Sequence, residues 1–314
     1  MKKFIFEPLR TVRRSLILDT DIGPDCDDVG ALAVMHYLAK RHNTKVIGVM
    51  SCSSSEYAPG CIDAINSYCG FPDIPIGTYK KPGLFEEYTK YNKFIAENYS
   101  EAYKNGTLQV EDAVQLYRRL LANSPNNSVI IVTIGTLNNI AELMDSPPDA
   151  ISPFNGIDLI KNKVYSMVSM AGKYPNGPEF NIVQHPESAK RVFENFPVPV
   201  IYSDFDLGYT VKTGFKNIDE DKYKDNPIYL SYKLYTDGTL ENSSYDLTAV
   251  HFAFEGEGDY YTLSGPVRLT VDLEASGSNT FEEDGIEDSN QYLMRKKRTD
   301  IELSHYLNNI LLSF

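Results

Sequence analysis

Basic residues are in short supply: Lys and Arg number 30 against 43 Asp and Glu, a formal net charge of −13. That imbalance argues against nucleic-acid phosphate or an anionic membrane as the partner, and it suits an enzyme that depends on a cation. Cysteine is scarce as well. Cys26, Cys52, Cys61 and Cys69 show neither CxxC nor Cys/His zinc spacing, so buried or incidental thiols in a reducing compartment are expected. No window approaches the ~18 apolar residues of a membrane helix. The opening MKKFIFEPLRTVRR has no h-region, so no secretory signal is read and a cytoplasmic location is expected. Internal repeats and low-complexity linkers are missing too. With 42% hydrophobic residues, 12% of the chain being aromatic, a packed core is assured, and one domain over residues 1–314 is the simplest organisation.

What is there in excess is acid, at one place. In residues 16–34, LILDTDIGPDCDDVGALAV, an aliphatic run breaks off into Asp19, Asp21, Asp25, Asp27 and Asp28. Leu16, Ile17 and Leu18 read as a strand covered on both faces, Gly23 and Pro24 force a turn, and Ala31, Leu32, Val34, Met35 and Leu38 recur at helical spacing. The acids therefore lie between a strand end and a helix start, the edge where open parallel sheets bind ligands. One or two would serve to cap the helix and complement its dipole. Five are too many for that. Carboxylates so crowded raise one another's pKa unless a cation sits between them, and a hard divalent ion with oxygen ligands is the natural partner. The spacing is not that of an EF-hand, because Gly23 precedes Asp25 and no Glu closes a twelve-residue loop.

The rest of the chain alternates strands and helices. Val46–Cys52 reads as a strand ending in a run of serines, Ala58–Tyr68 as a helix, and Ile74–Ile76 as a short strand. The Tyr/Lys/Glu-rich residues 79–98 read as a surface excursion over the sheet edge, either a lid or simply a solvated loop and helix. Val110–Ala122 has helical spacing throughout, and Ser128–Thr133 is a β-branched strand running into Ile134-Gly135-Thr136-Leu137-Asn138-Asn139. Val164–Met170 is a third strand-to-loop transition, followed by the Gly/Pro-broken AGKYPNGPEFN and a helix from Pro186. Val198–Tyr202 ends in Ser203-Asp204-Phe205-Asp206. Sustained alternation predicts an α/β fold with a doubly wound, mainly parallel sheet. Beyond Gly208 the pattern loosens, although DLTAVHFAF reads as a helix headed by Asp246, Tyr261–Asp272 as strand, and the last residues to Leu312 as an amphipathic helix.

Four segments, in order, resemble the nucleoside hydrolases of the inosine-uridine preferring type. Asp19, Asp21, Gly23, Asp27 and Asp28 fill a DxDxGxDD-like motif. Ile134, Gly135, Leu137 and Asn139 resemble a Gly-x-Leu-Thr-Asn turn, Glu179-Phe180-Asn181 matches a Glu-Phe-Asn segment, and Tyr245-Asp246 falls where a late Asp opens a helix. The resemblance implies a single Rossmann-like domain, a Ca²⁺ cofactor, and hydrolysis of the bond between ribose and base in a small-molecule nucleoside or riboside. It further implies a homodimer or homotetramer. By carry-over, Asp21 is a metal ligand and the general base on a metal-bound water, Asp28 and Asp246 are ligands, and Ile134 is a ligand through its carbonyl. Asp27, Glu179 and Asn181 hold sugar hydroxyls, and Asp19 is a supporting residue. The chemistry asks for such a set independently, since departure of C1′ develops oxocarbenium charge that surrounding carboxylates stabilise.

The chain departs from the family pattern in three places. IGPDC puts five residues between Asp21 and Asp27 where the common form has three, so Asp25 is an additional acid; a sugar contact is open to it, and facing water is favoured on grounds of charge. After the second strand, where Asn is usual, Ser53 is the nearest match. Beside Asp246 some relatives place a His as proton donor, whereas here the neighbour is Tyr245, which could stack on a base, donate a hydrogen bond or fill core. His251 lies five residues on, roughly 140° around the helix, and reads as packed or exposed rather than catalytic. Tyr174 and Asn176 are further candidates for sugar or base contact. Two other readings stay open. Asp19-Thr-Asp21 superficially fits a haloacid dehalogenase-type phosphotransferase, which leaves Glu179-Phe180-Asn181 unexplained. The metal and sugar pocket could also be retained for another riboside, a carbohydrate-like substrate, or binding only.

Overall fold

The computed structural model describes residues 4–283 and 285–314. Its strands are β1 (Ser15–Thr20), β2 (Lys45–Ser51), β3 (Ile76–Thr78), β4 (Val110–Asp112), β5 (Val129–Thr133), β6 (Val164–Met170), β7 (Asn176–Gly177), β8 (Val200–Ser203), β9 (Lys212–Gly214), β10 (Glu241–Ser243), β11 (Tyr261–Asp272), β12 (Ser278–Glu282) and β13 (Gln291–Lys296). All but β9 and β10 form one sheet in the order β4-β3-β2-β1-β5-β6-β8-β13-β11-β12-β7. From β4 to β13 every neighbouring pair is parallel; β11, β12 and β7 add an antiparallel extension. The mainly parallel, doubly wound sheet follows the expectation from the alternating pattern.

Burial on both faces explains why the strands carry unbroken aliphatic runs. In β1, Leu16 and Leu18 join one core with residues of helices Asp27–His42, Ala58–Tyr68, Tyr245–Glu255 and Asp300–Leu311. Ile17, pointing the other way, joins a second core with helices Ala113–Ala122, Asn138–Asp145, Gly156–Lys163 and Pro186–Asn195. Between β1 and β5 the strand order reverses. Their carboxyl ends thus open a crevice at the topological switch point, where α/β sheets bind ligands.

Three readings of local structure need correction. The helical pattern of 110–122 is divided: Val110–Asp112 pairs with β3 as an edge strand, and Asp112 then caps the helix by accepting from the Gln115 N–H at 3.1 Å. The third strand lies two residues later than expected, at Ile76–Thr78. The excursion over 79–98 is only in part a solvated loop and helix: most of it is exposed, but Tyr91, Asn92, Ile95 and Ala96 are buried. Asn92 Nδ2 donates to the Ile22 carbonyl at 3.3 Å, fastening this segment onto the acidic turn.

Candidate active site

The acidic turn is shaped by its own side chains. At the end of β1, Thr20 Oγ1 accepts from the Ile22 N–H at 3.2 Å and donates to Asp28 Oδ1, so the loop folds back on its strand. Gly23 passes so near the 79–99 segment that a Cβ would stand 2.9 Å from Asn92 Nδ2. Helix Asp27–His42 then starts with two acids in its first turn, where the dipole favours negative charge. From the opposite end of the chain, helix Tyr245–Glu255 brings Asp246, whose N–H donates to Asp27 Oδ2 at 3.0 Å.

One carboxylate oxygen each from Asp25, Asp28 and Asp246 lies within 4.8 Å of the others. Asp21, Asp27, Asp28 and Asp246 are all almost wholly buried. Burial first, and then the neighbouring carboxylates, push their pKa values well above the usual range; Asp25 moves the same way through burial. Asp27 Oδ1 and Asp28 Oδ2 are buried with no hydrogen-bond partner. Unpaired buried oxygen is costly. Among the described residues no Lys, Arg or His lines the cleft above them, so no cationic side chain in its walls opposes their charge. A set of hard carboxylate oxygens with unfilled lone pairs fits a divalent cation such as Ca²⁺ or Mg²⁺.

The cleft encloses about 230 Å³ and is lined by Asp21, Asp25, Asp27, Ile134, Glu179, Asn181, Tyr245 and Asp246 together with Pro24, Tyr88, Met170, Phe180, Phe205 and Tyr235. Glu179 is the N-cap of the short helix Phe180–Val183 and also accepts from the Gly172 N–H at 3.1 Å. Burial pushes its carboxyl up to about 7 against these donors. Asn181 Nδ2 donates to the Met170 carbonyl at 3.1 Å, which fixes its amide at the end of β6. Beneath the cleft, Asp19 accepts from Tyr117 Oη at 2.9 Å and Asn139 Nδ2 at 3.1 Å. These bonds make Asp19 a support for the turn, and they give Asn139 its use. Gly135 is dictated by proximity: a Cβ there would lie 2.7 Å from both the Asp21 nitrogen and Cys52 Sγ.

The structure thus brings Asp21, Asp27, Asp28, Ile134, Glu179, Asn181, Tyr245 and Asp246 together. Three candidates stay outside. Ser53 is buried among Leu84 and Ser55, its hydroxyl donating to the Leu84 carbonyl and accepting from the Ser55 N–H; its side chain is too short to leave that turn. Asn176 is exposed in β7, where backbone pairing with β12 holds it away from the cleft. Tyr174 instead packs under the Arg295 guanidinium, 4.1 Å from the ring centre. His251 is fully buried in a cage of Tyr260, Tyr261 and Tyr306. Asp25 lines the cleft and stays partly exposed there.

An aromatic rim was missed by sequence reasoning. Phe205 stacks near Tyr245 with centroids 5.2 Å apart, and Phe180 stacks on Phe85 at 5.7 Å on the other side, next to Tyr88. Phe205 follows the carboxyl end of β8, so its place in the strand-end series was a usable signal. Tyr88 lies in an irregular stretch and Tyr235 ends the helix Pro227–Tyr235, away from any strand end, so neither had one.

A family model described as inosine-uridine preferring nucleoside hydrolase matches residues 16–298. The chain belongs to that family. Among curated relatives, an uncharacterized protein of Schizosaccharomyces pombe, C1683.06c, is 25% identical over 212 residues, 65% of this chain and 64% of the relative. The match therefore spans a little under two thirds of that protein's length. The inosine-uridine preferring nucleoside hydrolase of Bacillus anthracis superposes with a TM-score of 0.69 at 12% identity, covering 95% of this chain and 98% of the other. An inosine-guanosine nucleoside hydrolase gives 0.70 at 19% identity, covering 96% and 99%. The type III effector protein XopQ, solved with adenosine diphosphate ribose, gives 0.69 at 13%, covering 96% and 95%. At these identities the likeness is one of fold.

Proposed function

We propose that this nucleoside hydrolase cleaves the N-glycosidic bond of ribonucleosides, giving ribose and free base, with Ca²⁺ as its cation. What carries the reading is the meeting of Asp21, Asp27, Glu179, Asn181 and Asp246 in a single cleft, over Asp28, with no basic side chain in its walls. Asp21, Asp28, Asp246 and the Ile134 carbonyl are the groups proposed to hold the ion. When bound, Ca²⁺ orients the sugar diol and makes water more acidic.

Asp27, Glu179 and Asn181 hold the ribose hydroxyls. Asp21 takes a proton from the attacking water as its oxygen bonds to C1′, while the C1′–N bond breaks and its electron pair leaves with the base. The carboxylates around the sugar oppose the positive charge that grows on the ring. Phe205 and Tyr245 on one side and Tyr88 and Phe180 on the other offer faces and edges to a planar leaving group. No imidazole lines the cleft, so stacking rather than a His acid assists departure. Walls without Lys or Arg favour an uncharged riboside over a phosphorylated one.

The test is release of reducing sugar from purine and pyrimidine ribosides, 2′-deoxyribosides and nitrophenyl riboside, with Ca²⁺ or chelator, for the wild type and Asp21→Asn. Turnover abolished both by chelator and by Asp21→Asn is expected. Absence of turnover with Ca²⁺ still bound would assign the cleft to another riboside or to binding alone.

A further inference from the structure

We propose that Asp25, the acid contributed by the lengthened turn, is itself a ligand of the cation, so that the ion is held by four carboxylates. This rests on the cation reading given above. Three oxygens at most 4.8 Å from one another lie no more than about 2.8 Å from a common centre, close to the Ca²⁺–oxygen distance of about 2.3–2.6 Å. Asp25, Asp28 and Asp246 are the residues that meet this condition. The Asp25 carboxyl also stands beside that of Asp27. Two carboxyl groups so close need a proton or a cation between them. Asp28 Oδ2 and Asp27 Oδ1, buried and unpartnered, point to the cation.

The route to this geometry is local. Pro24 and Gly23 turn the chain before Asp25, and the helix begins at Asp27, so Asp25 sits just ahead of the first turn. A site with four carboxylates is more negative than a divalent ion neutralises. It should therefore accept a trivalent lanthanide at least as readily as Ca²⁺.

The full chain, stripped of metal, is titrated with Ca²⁺ by calorimetry and with Tb³⁺ by luminescence. The chain has no tryptophan, so excitation is through tyrosine, three of which line the cleft. Comparing Tb³⁺ decay in H₂O and D₂O counts the waters on the ion. Asp25→Ala should weaken Ca²⁺ by ~10-fold or more and add a coordinated water. Asp25→Asn, which keeps an oxygen donor and guards against misfolding of the alanine variant, should weaken Ca²⁺ without adding one. Unchanged affinity in both variants would overturn the proposal, as would weaker binding by Asp25→Ala with an unchanged water count, since Asp25 would then be a nearby charge and no ligand. If the wild type bound neither ion, the cation reading of the whole cleft would fall with it. Binding by the wild type with no effect of either substitution would sink the Asp25 assignment alone.

Discussion

Stripped of cations, this protein should lose stability as the pH rises from 4 to 8, the reverse of what paired surface carboxylates do. The cause is burial. Asp19, 1% exposed, is pushed from 3.8 up to about 7, and Glu179, 3% exposed, from 4.5 up to about 7. A carboxyl raised in the folded state binds its proton more tightly there than in the unfolded chain. Its contribution is therefore fully present below the unfolded pKa and is lost as pH rises through the folded one. For Asp19 that loss is worth roughly 4 kcal/mol, and for Glu179 roughly 3 kcal/mol. Asp21, Asp27, Asp28 and Asp246 shift in the same direction. The buried imidazoles of His36 and His251, pushed down to about 4 and about 3, work the other way up to about pH 6.5 and offset roughly what Asp19 and Glu179 lose. The four acids of the cleft therefore set the net sign. Asp149, held low by Arg118, also opposes but lies in solvent and is screened. Against a total of about 5–15 kcal/mol, a loss of several kcal/mol is visible. The assay is urea unfolding of the stripped protein across this range, repeated at pH 8 with saturating Ca²⁺, which should recover about 3 kcal/mol at 100 times its Kd. A stripped protein more stable at pH 8 than at pH 4 would refute the reasoning.

Two further outcomes follow from particular contacts. Gly135→Ala forces a Cβ against the Asp21 backbone nitrogen, which cannot move without shifting the acidic turn. Thermal unfolding should show a loss of about 1–3 kcal/mol, and riboside turnover should fall with it; unchanged stability would mean that the turn is looser than described. His251→Gln should leave the pH profile and kcat of riboside hydrolysis in place, because His251 is caged by tyrosines away from the cleft. Loss of the profile's acidic partner in that variant would give His251 the leaving-group role denied to it here.

The sheet was legible because parallel strands buried on both faces leave an unmistakable aliphatic signature, as in Leu16–Leu18 and Val129–Thr133. The positions that meet at the switch point followed from it, since each lies just past a strand or at a helix start. What failed was what depends on backbone path rather than residue type. For Asp25 the sequence leaves a sugar contact and water both open, and its half-buried place on the cleft wall follows from the bend at Gly23 and Pro24. Ser53 matched by order alone and is held by Leu84. Asn176 sits in a polar loop that resembles a binding loop, but cross-strand pairing with Thr280 claims it. The hydrogen bond that ties 79–99 to the turn comes from the Asn92 amide, whose partner is a backbone carbonyl and leaves no trace in the pattern of side chains.

The hydrogen bond from the Asp246 backbone to Asp27 joins residues 219 positions apart. That separation makes the site a late event in folding, for contacts of such range form only after the intervening sheet has brought the ends of the loop together. During synthesis, the acids of the first turn emerge long before the helix that completes their cage. Until Asp246 arrives, a growing chain carries an unfinished anionic pocket. A cation captured then would bind a partial ligand set weakly, so tight loading reports that the fold has closed.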